Sequence, residues 1–184
     1  MDAIERFAVA EADFEHWIVN GTDEGPDAAR EALIQLLRLY PYGLELPEAW
    51  SDDLVDRSDV ESLAEEEWRK AVAGCERLPL NFYSAVFNPL KATDVAPVTG
   101  SIADDLADIY RNIASGLRAY ELGDRAGAVW EWSFGLHSHW GAHATSAIRA
   151  LHWWLSENAS DRFERSPQTN RLTSGCSRRR LDGS

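Results

Sequence analysis

Cysteine is scarce in this chain of 184 residues, and long apolar runs are missing. The two cysteines, Cys75 and Cys176, form no Cys-x-x-Cys pair, which excludes a disulfide-stabilised scaffold and a cysteine-rich zinc domain. Twelve glycines and seven prolines exclude a collagen-like or low-complexity chain. Because no run of about 18 residues is apolar, the sequence predicts no membrane-spanning helix.

Recognisable catalytic and export signals are missing as well. The sequence contains no glycine-rich nucleotide-binding loop, no Gly-x-Ser-x-Gly, no His-Glu-x-x-His and no EF-hand loop. The N-terminal residues have neither the basic nor the apolar region of a signal peptide, so we expect a cytoplasmic protein with free thiols. Any catalytic chemistry must then come from side chains that folding brings together.

Acidic residues dominate the composition, with a formal net charge of −13. Residues 1–158 carry 12 basic and 28 acidic side chains, a charge of −16, whereas residues 159–184 hold six arginines against three acidic residues. An acidic body repels phosphate backbones, which argues against a nucleic-acid partner, and it attracts a basic protein partner. The same charge also keeps a tryptophan-rich protein in solution. We predict a helical domain over residues 1–158 and a disordered Arg-rich tail over residues 159–184.

Apolar residues follow helical spacing through most of the chain. Hydrophobic residues make up 45% of the sequence and eight residues are tryptophan, which is enough for a buried core. We predict a single all-α, bundle-like domain of about five helices around a central C-terminal helix. The predicted helices cover about residues 3–19, 26–40, 58–75, 101–122 and 125–158. Two glycines mark a bend or break in the last helix, Gly135 and Gly141.

Residues 78–100 interrupt the helical pattern. Three prolines, Pro79, Pro89 and Pro97, alternate there with aromatic and apolar residues. This composition predicts an irregular, extended segment that lies across the helices, and a short β-hairpin is the alternative. A segment of this length without helix is often functional in a compact domain.

Two histidines on the predicted C-terminal helix are candidate metal ligands. His139 and His143 are four residues apart, which places both imidazoles on the same side of a helix. The Glu-x-x-His spacing of di-iron bundles is missing at both positions. A divalent metal is therefore one interpretation, and no cofactor is predicted outright. In the other interpretation, buried imidazoles hydrogen-bond carboxylates or carbonyls and stabilise the packing of the core.

Helix four offers carboxylates to these histidines. Asp105 and Asp108 lie along one flank of its apolar stripe, where they also complement the helix N-terminus. We predict that His139 and His143 lie within reach of a carboxylate from Asp105, Asp108 or Glu131. Such a cluster favours ligand orientation, metal binding or acid–base chemistry. The further candidate binding residues are Tyr110, Glu131 and Trp140.

Several strings in the second half of the chain resemble a known family. Residues 98–110 read Val-Thr-Gly-Ser-Ile-Ala-Asp-Asp-Leu-Ala-Asp-Ile-Tyr, residues 130–132 read Trp-Glu-Trp, and residues 139–143 read His-Trp-Gly-Ala-His. Together they resemble an uncharacterised bacterial family, domain-of-unknown-function family 5063, over most of residues 1–155. The resemblance implies a small, cytoplasmic, helical bacterial protein. It implies no activity, cofactor or catalytic residue.

Two classes of function fit these observations. The first is a non-enzymatic protein-binding module, an adaptor or a neutraliser of a basic protein, which the acidic charge, the tryptophan content and the missing catalytic motifs favour. The alternative is a metal-dependent or acid–base enzyme that uses the Asp/His cluster between helix four and the last helix. Fold and composition alone do not decide between the two classes.

Overall fold

The computed structural model describes residues 1–20, 24–48, 64–86, 89–91 and 96–158. These ranges contain six α-helices and two short strands, which confirms the all-α prediction. The predicted start of helix three at Ser58 and the predicted tail over residues 159–184 lie outside the described residues.

The helices follow the predicted order closely. Helices α1 to α6 span, in turn, Ala3–Val19, Pro26–Leu44, Glu65–Cys75, Ile102–Glu121, Arg125–Gly135 and Gly141–Asn158. A π-helical turn, Leu136–Trp140, joins α5 to α6, so the last predicted helix is divided where Gly135 and Gly141 indicated. Within the described ranges, none of the helices is long and apolar enough to cross a membrane.

Capping side chains define where three of the helices begin. Asp2, Ser101 and Asp124 each accept a hydrogen bond from the backbone N–H three residues further along the chain. Each bond satisfies a donor that the first turn of a helix leaves without a partner. Gly123 follows the end of α4 with a φ of +86°, a conformation that glycine adopts without strain.

Helix α4 occupies the centre of the molecule, which corrects the position predicted for the C-terminal helix. It contacts α1, α3, α5 and α6. Its buried residues include a stripe of large side chains and several small residues that let neighbouring helices approach: Ile102, Leu106, Ile109, Ile113, Ala103, Ala107, Ala114 and Gly116. Helix α6 buries a narrower stripe, Gly141, Ala144, Ala147 and Leu151, and its outer side chains remain accessible.

Two tryptophans connect the divided C-terminal helix to the core. Trp132 and Trp140 are fully buried. The Trp132 indole N–H donates to the backbone oxygen of Ile113 at 3.1 Å, and that of Trp140 donates to the backbone oxygen of Trp132 at 3.0 Å. Both indoles therefore bury their polar atom with a partner, as a buried tryptophan requires.

Residues 78–100 contain a short antiparallel β-hairpin, which decides between the two predictions for this segment. Strand β1, Phe82–Ala85, pairs with strand β2, Val98–Ser101, and Tyr83 faces Gly100 across the ladder. β2 leads directly into α4, so the hairpin is held against the N-terminus of the central helix. The aromatic ring of Tyr83 lies over Gly100, where a β-carbon would overlap with it.

Candidate functional site

Asp105 is the centre of a polar cluster that joins three elements of the fold. The carboxylate is buried in the first turn of α4. One oxygen, Oδ1, lies 2.8 Å from His143 Nδ1 on α6. The other, Oδ2, accepts a hydrogen bond of 2.5 Å from the Tyr83 hydroxyl on β1. The cluster therefore ties the hairpin and α6 to the central helix.

Local hydrogen bonds position the hairpin against α4. Ser101 is both the last residue of β2 and the N-cap of α4, and its hydroxyl accepts from the backbone N–H of Asp104 at 3.2 Å. The same hydroxyl donates to Asn81 Oδ1 at 3.0 Å, and that oxygen also accepts from the N–H of Ala103 at 3.3 Å. The residue that begins the helix thus also fixes where Tyr83 enters the cluster.

The pKa values of the two histidines are shifted in opposite directions. The hydrogen bond with Asp105 raises the pKa of His143 above 6.5, against the opposing effect of burial, and the charges of Asp105 and Asp108 act in the same direction as the bond. Burial lowers the pKa of His139, and the neighbouring imidazole of His143 lowers it further. The two rings lie with their centroids 4.7 Å apart. Burial and the bond to Asp105 raise the pKa of Tyr83, so its hydroxyl stays protonated.

The carboxylate prediction is confirmed for His143. His139 makes no hydrogen bond to a carboxylate among the described residues and lies against His143 instead, and the other candidate residues have separate partners. Asp108 accepts from the Trp68 indole N–H on α3 at 3.0 Å. Tyr110 is buried, and its hydroxyl donates to Glu15 on α1 at 3.2 Å. Glu131 lies 3.5 Å from the Ser115 hydroxyl on α4. These side chains connect helices to one another, and Asp108 also acts on the Asp105 cluster through its charge.

Trp140 requires a correction, because it was predicted as a binding residue. The indole is fully buried beneath α2, where a β-carbon on Gly43 would lie 2.7 Å from Trp140 Cη2. The ring also packs edge-on against Tyr40 at a centroid distance of 6.2 Å. Trp140 is therefore a core residue that no partner can reach.

The structure assigns no metal centre to the two histidines. In the ranges that the structure describes, no group of three or more His, Cys, Asp or Glu side chains has the arrangement of a metal site. A pair of imidazoles without a third ligand falls short of the four-coordinate shell that zinc requires.

A groove of about 770 Å³ opens beside this cluster, between β1 and α6. Besides Ala142 and Ala150, the α6 wall presents polar and aromatic side chains at helical spacing: Thr145, Ser146, Arg149, Trp153, Trp154 and Glu157. The opposite wall includes Tyr83, Ser84 and Ala85 of β1 and the next residue, Val86. Tyr83 of the Asp105 cluster and Ser146 of α6 both line the groove, so the cluster borders one part of it.

The groove runs along the edge of β1 rather than along one face of the hairpin. Successive side chains of a strand point to opposite faces, yet Tyr83, Ser84 and Ala85 all line the groove. Among the described residues, β1 pairs with β2 alone, and β2 contributes nothing to the lining. The groove therefore lies at the edge of β1 that faces away from β2.

Alternation of the ladder identifies the backbone groups that face the groove. The backbone oxygen of Asn81 accepts a hydrogen bond from the N–H of Ile102 at 2.7 Å. Asn81 and Ile102 therefore form a hydrogen-bonded pair, and Phe82 and Ser101 form the next pair along the ladder. Hydrogen-bonded and non-hydrogen-bonded pairs alternate along an antiparallel ladder. The N–H and C=O of Ser84 consequently point away from β2, towards the groove.

Sequence reasoning found Asp105 and His143 but missed the groove. Tyr83, Arg149 and Trp153 were absent from the predicted site, although Arg149 and Trp153 are four residues apart on one side of a helix. A polar stripe on a helix otherwise rich in tryptophan was the signal for this surface. It could be interpreted only with a second wall, which the hairpin supplies.

Fold and site together define a small helical domain with an open groove and, beside it, a buried carboxylate paired with a half-buried imidazole. The chain belongs to the family described as domain of unknown function DUF5063, whose sequence model matches residues 4–157. The match confirms the family that the sequence resembled.

A solved structure has the same fold. The crystal structure of protein BF1032 from Bacteroides fragilis, a structural genomics target, superposes with a TM-score of 0.66 at 19% sequence identity. The alignment covers 82% of this chain and 90% of that chain. At this identity the likeness shows the fold alone. No match was found among curated proteins.

Proposed function

We propose that this chain is a protein-binding module whose groove holds an extended segment of a partner protein. The observation that carries the proposal is the edge of β1, which lies open along the groove with the N–H and C=O of Ser84 directed into it. An extended peptide that adds to such an edge gains backbone hydrogen bonds, and side-chain pockets alongside give it specificity. The α6 wall supplies these pockets.

An exposed tryptophan on the α6 wall supports a binding role. Trp153 is 60% exposed, although the chain buries Trp132 and Trp140 completely. Tryptophan is enriched among the residues that contribute most to protein interfaces, because its large rigid surface is removed from water on binding. Trp153 is therefore the residue we expect to contribute most to affinity.

The charge of the chain supports a basic partner. A net charge of −13 attracts positively charged proteins over distances that salt shortens. This long-range field acts mainly on the rate of association. We propose a partner that is basic as a whole and presents an extended segment to the groove, as an adaptor or neutraliser would recognise it.

Selection of displayed random peptides against the full chain tests the proposal. Selected peptides should lose binding to Ser84→Pro, because proline removes the N–H that points into the groove while the bonds between β1 and β2 remain. Thr99→Pro is the matched control, since Thr99 faces Ser84 across the ladder and its N–H points to the opposite edge. Equal binding to both proline variants would contradict the proposal.

A second pair of variants separates the groove from general apolar attraction. Trp153→Ala should weaken the selected peptides at least about tenfold, the loss typical of an interface tryptophan. Phe134→Ala is the control, because Phe134 is 47% exposed on α5 and does not line the groove. Peptides that respond equally to both variants would show binding outside the groove.

Acid–base catalysis is a second candidate function, favoured by the contact of 2.8 Å between Asp105 and His143. A carboxylate that orients an imidazole in this way supports general-base chemistry. Hydrolysis of p-nitrophenyl acetate by the full chain provides the test. His143→Gln should abolish the rate above background, whereas His152→Gln, an exposed histidine on the same helix, should keep it. Equal rates in the two variants would eliminate this function.

A further inference from the structure

Three side chains of α6 form a charged and aromatic row along the groove. Arg149, Trp153 and Glu157 all line it and follow one another at intervals of four residues. Side chains at this interval lie on the same side of a helix. The row therefore presents a cation, an aromatic ring and an anion in a fixed order.

Neither charged side chain of this row forms an ion pair in the part of the chain that the structure describes. Arg149 and Glu157 are exposed and take part in none of the ion pairs found there. By comparison, Arg6, Lys70, Arg111 and Arg125 each contact a carboxylate. A cation and an anion that both face a groove, without an ion-pair partner among the described residues, are available to a ligand.

The spacing of the row matches an extended peptide. Arg149 and Glu157 are eight residues apart, and a helix rises about 1.5 Å per residue, so their positions are separated by about 12 Å along α6. An extended chain rises about 3.3 Å per residue and places every second side chain on one face. Residues i and i+4 of such a segment span about 13 Å, with residue i+2 between them on the same face.

We propose that the groove recognises an extended partner segment with an acidic residue, an apolar residue and a basic residue at alternate positions. The acidic side chain pairs with Arg149, the apolar side chain packs on Trp153, and the basic side chain pairs with Glu157. This inference rests on the proposed function, since it specifies the segment that the groove holds. The segment follows the α6 wall, and the order of its charges depends only on its direction.

Three labelled peptides test the charge pattern by fluorescence anisotropy with the full chain. The mixed peptide is acetyl-Thr-Glu-Thr-Leu-Thr-Arg-Thr-amide, and in the two uniform peptides both charged positions are Glu or both are Arg. Exposed ion pairs are worth up to about 1 kcal/mol, so the mixed peptide should bind up to about fivefold more tightly than either uniform peptide. A fourth peptide with Thr in place of Leu should lose most of its affinity.

Charge-reversal variants should change which of the three peptides binds most tightly. Arg149→Glu makes both ends of the row anionic and should favour the Arg/Arg peptide, and Glu157→Arg should favour the Glu/Glu peptide. The double variant should return the preference to the mixed peptide. Arg38→Glu and Glu24→Arg change the net charge equally at exposed positions outside the groove, and they should leave the order of the three peptides as in wild type.

The outcomes separate this inference from the proposed function. Peptides that bind at the groove, are lost in Ser84→Pro, and show the same order in every charge variant would overturn the charge pattern and leave the binding module in place. If none of these peptides nor any selected peptide binds, both proposals fail. Self-association that is lost in Trp153→Ala, without peptide binding, would mean that a second copy fills the groove and would overturn the inference.

Discussion

Glu11 is a carboxyl group with no access to water. It lies on α1, and both of its oxygens are buried without a hydrogen-bond partner among the described residues. Burial raises its pKa well above 4.5, and the nearby charge of Glu15 raises it further. Because an isolated buried carboxylate is costly, Glu11 keeps its proton in the folded protein.

Replacement of Glu11 by Gln should change how stability depends on pH. Above pH 4.5 the unfolded chain releases this proton while the folded chain retains it, so the free energy of unfolding falls as the pH rises. Glu11→Gln removes this contribution, and its Tm should exceed that of wild type by a margin that grows from pH 5 to pH 8. The exposed Glu76→Gln is the control. A margin independent of pH would contradict the assignment.

The histidine pair offers a second measurement at this scale. The bond to Asp105 raises the pKa of His143, so its stabilising contribution is complete below pH 6.5 and is lost as the pH rises through the folded value. In a nuclear magnetic resonance titration, His143 should change charge at a higher pH than His139. Asp105→Asn should lower the midpoint of His143. Identical midpoints for His139 and His143 would refute the arrangement.

At the scale of elements, the contact between α4 and α5 depends on a missing side chain. Gly116 lies in the middle of α4, directly against the Trp132 indole, and a β-carbon there would overlap with Nε1 and Cδ1 of the ring. The same indole N–H bonds the backbone of α4 at Ile113. Gly116 therefore leaves room for the indole between the two helices, and the ring cannot move without losing its hydrogen bond.

Replacing Gly116 with alanine has two opposing effects on stability: it raises helix propensity and it overpacks the core. Alanine in place of glycine inside a helix stabilises by about 1 kcal/mol when the position is open. Overpacking a core costs about 1–3 kcal/mol, so Gly116→Ala should lower the free energy of unfolding. Chemical denaturation provides the measurement. A stabilised Gly116→Ala would show that the α4–α5 contact is looser than described.

For the whole molecule, the net charge of −13 is large enough to oppose folding by self-repulsion. Salt screens exposed charges beyond about 10 Å at 0.1 M, and it should therefore raise the Tm at pH 8. Near pH 4.7, where the formal charge vanishes, the same addition of salt should have little effect. A Tm that rises equally with NaCl at both pH values would point to a cause other than the acidic surface.

The groove does not share the net negative charge of the whole chain. Its lining places one cation, Arg149, and one anion, Glu157, on opposite sides of an exposed tryptophan. The net charge of the whole molecule and the charge pattern of the groove are thus separate properties, and charge variants inside and outside the groove distinguish them.

The local features of this fold were predictable because they depend on neighbouring residues. The caps at Ser101 and Asp124, the apolar stripe of α4 and the break between Gly135 and Gly141 are each encoded within a few positions. The facing pair of Asp105 and His143 followed from helical spacing and from the need of a buried imidazole for a partner. The centre of the bundle was misplaced, because the small residues that make α4 central resemble ordinary helix formers in a sequence.

The groove required contacts between distant parts of the chain. Tyr83 and Asp105 are 22 residues apart, and Asp105 and His143 are 38 apart, so no local pattern places them together. A polar row on α6 and a strand edge on β1 line one groove only because the hairpin and α6 are both attached to α4. Helical periodicity determined the elements of this protein, and the packing of the hairpin against the central helix created the groove.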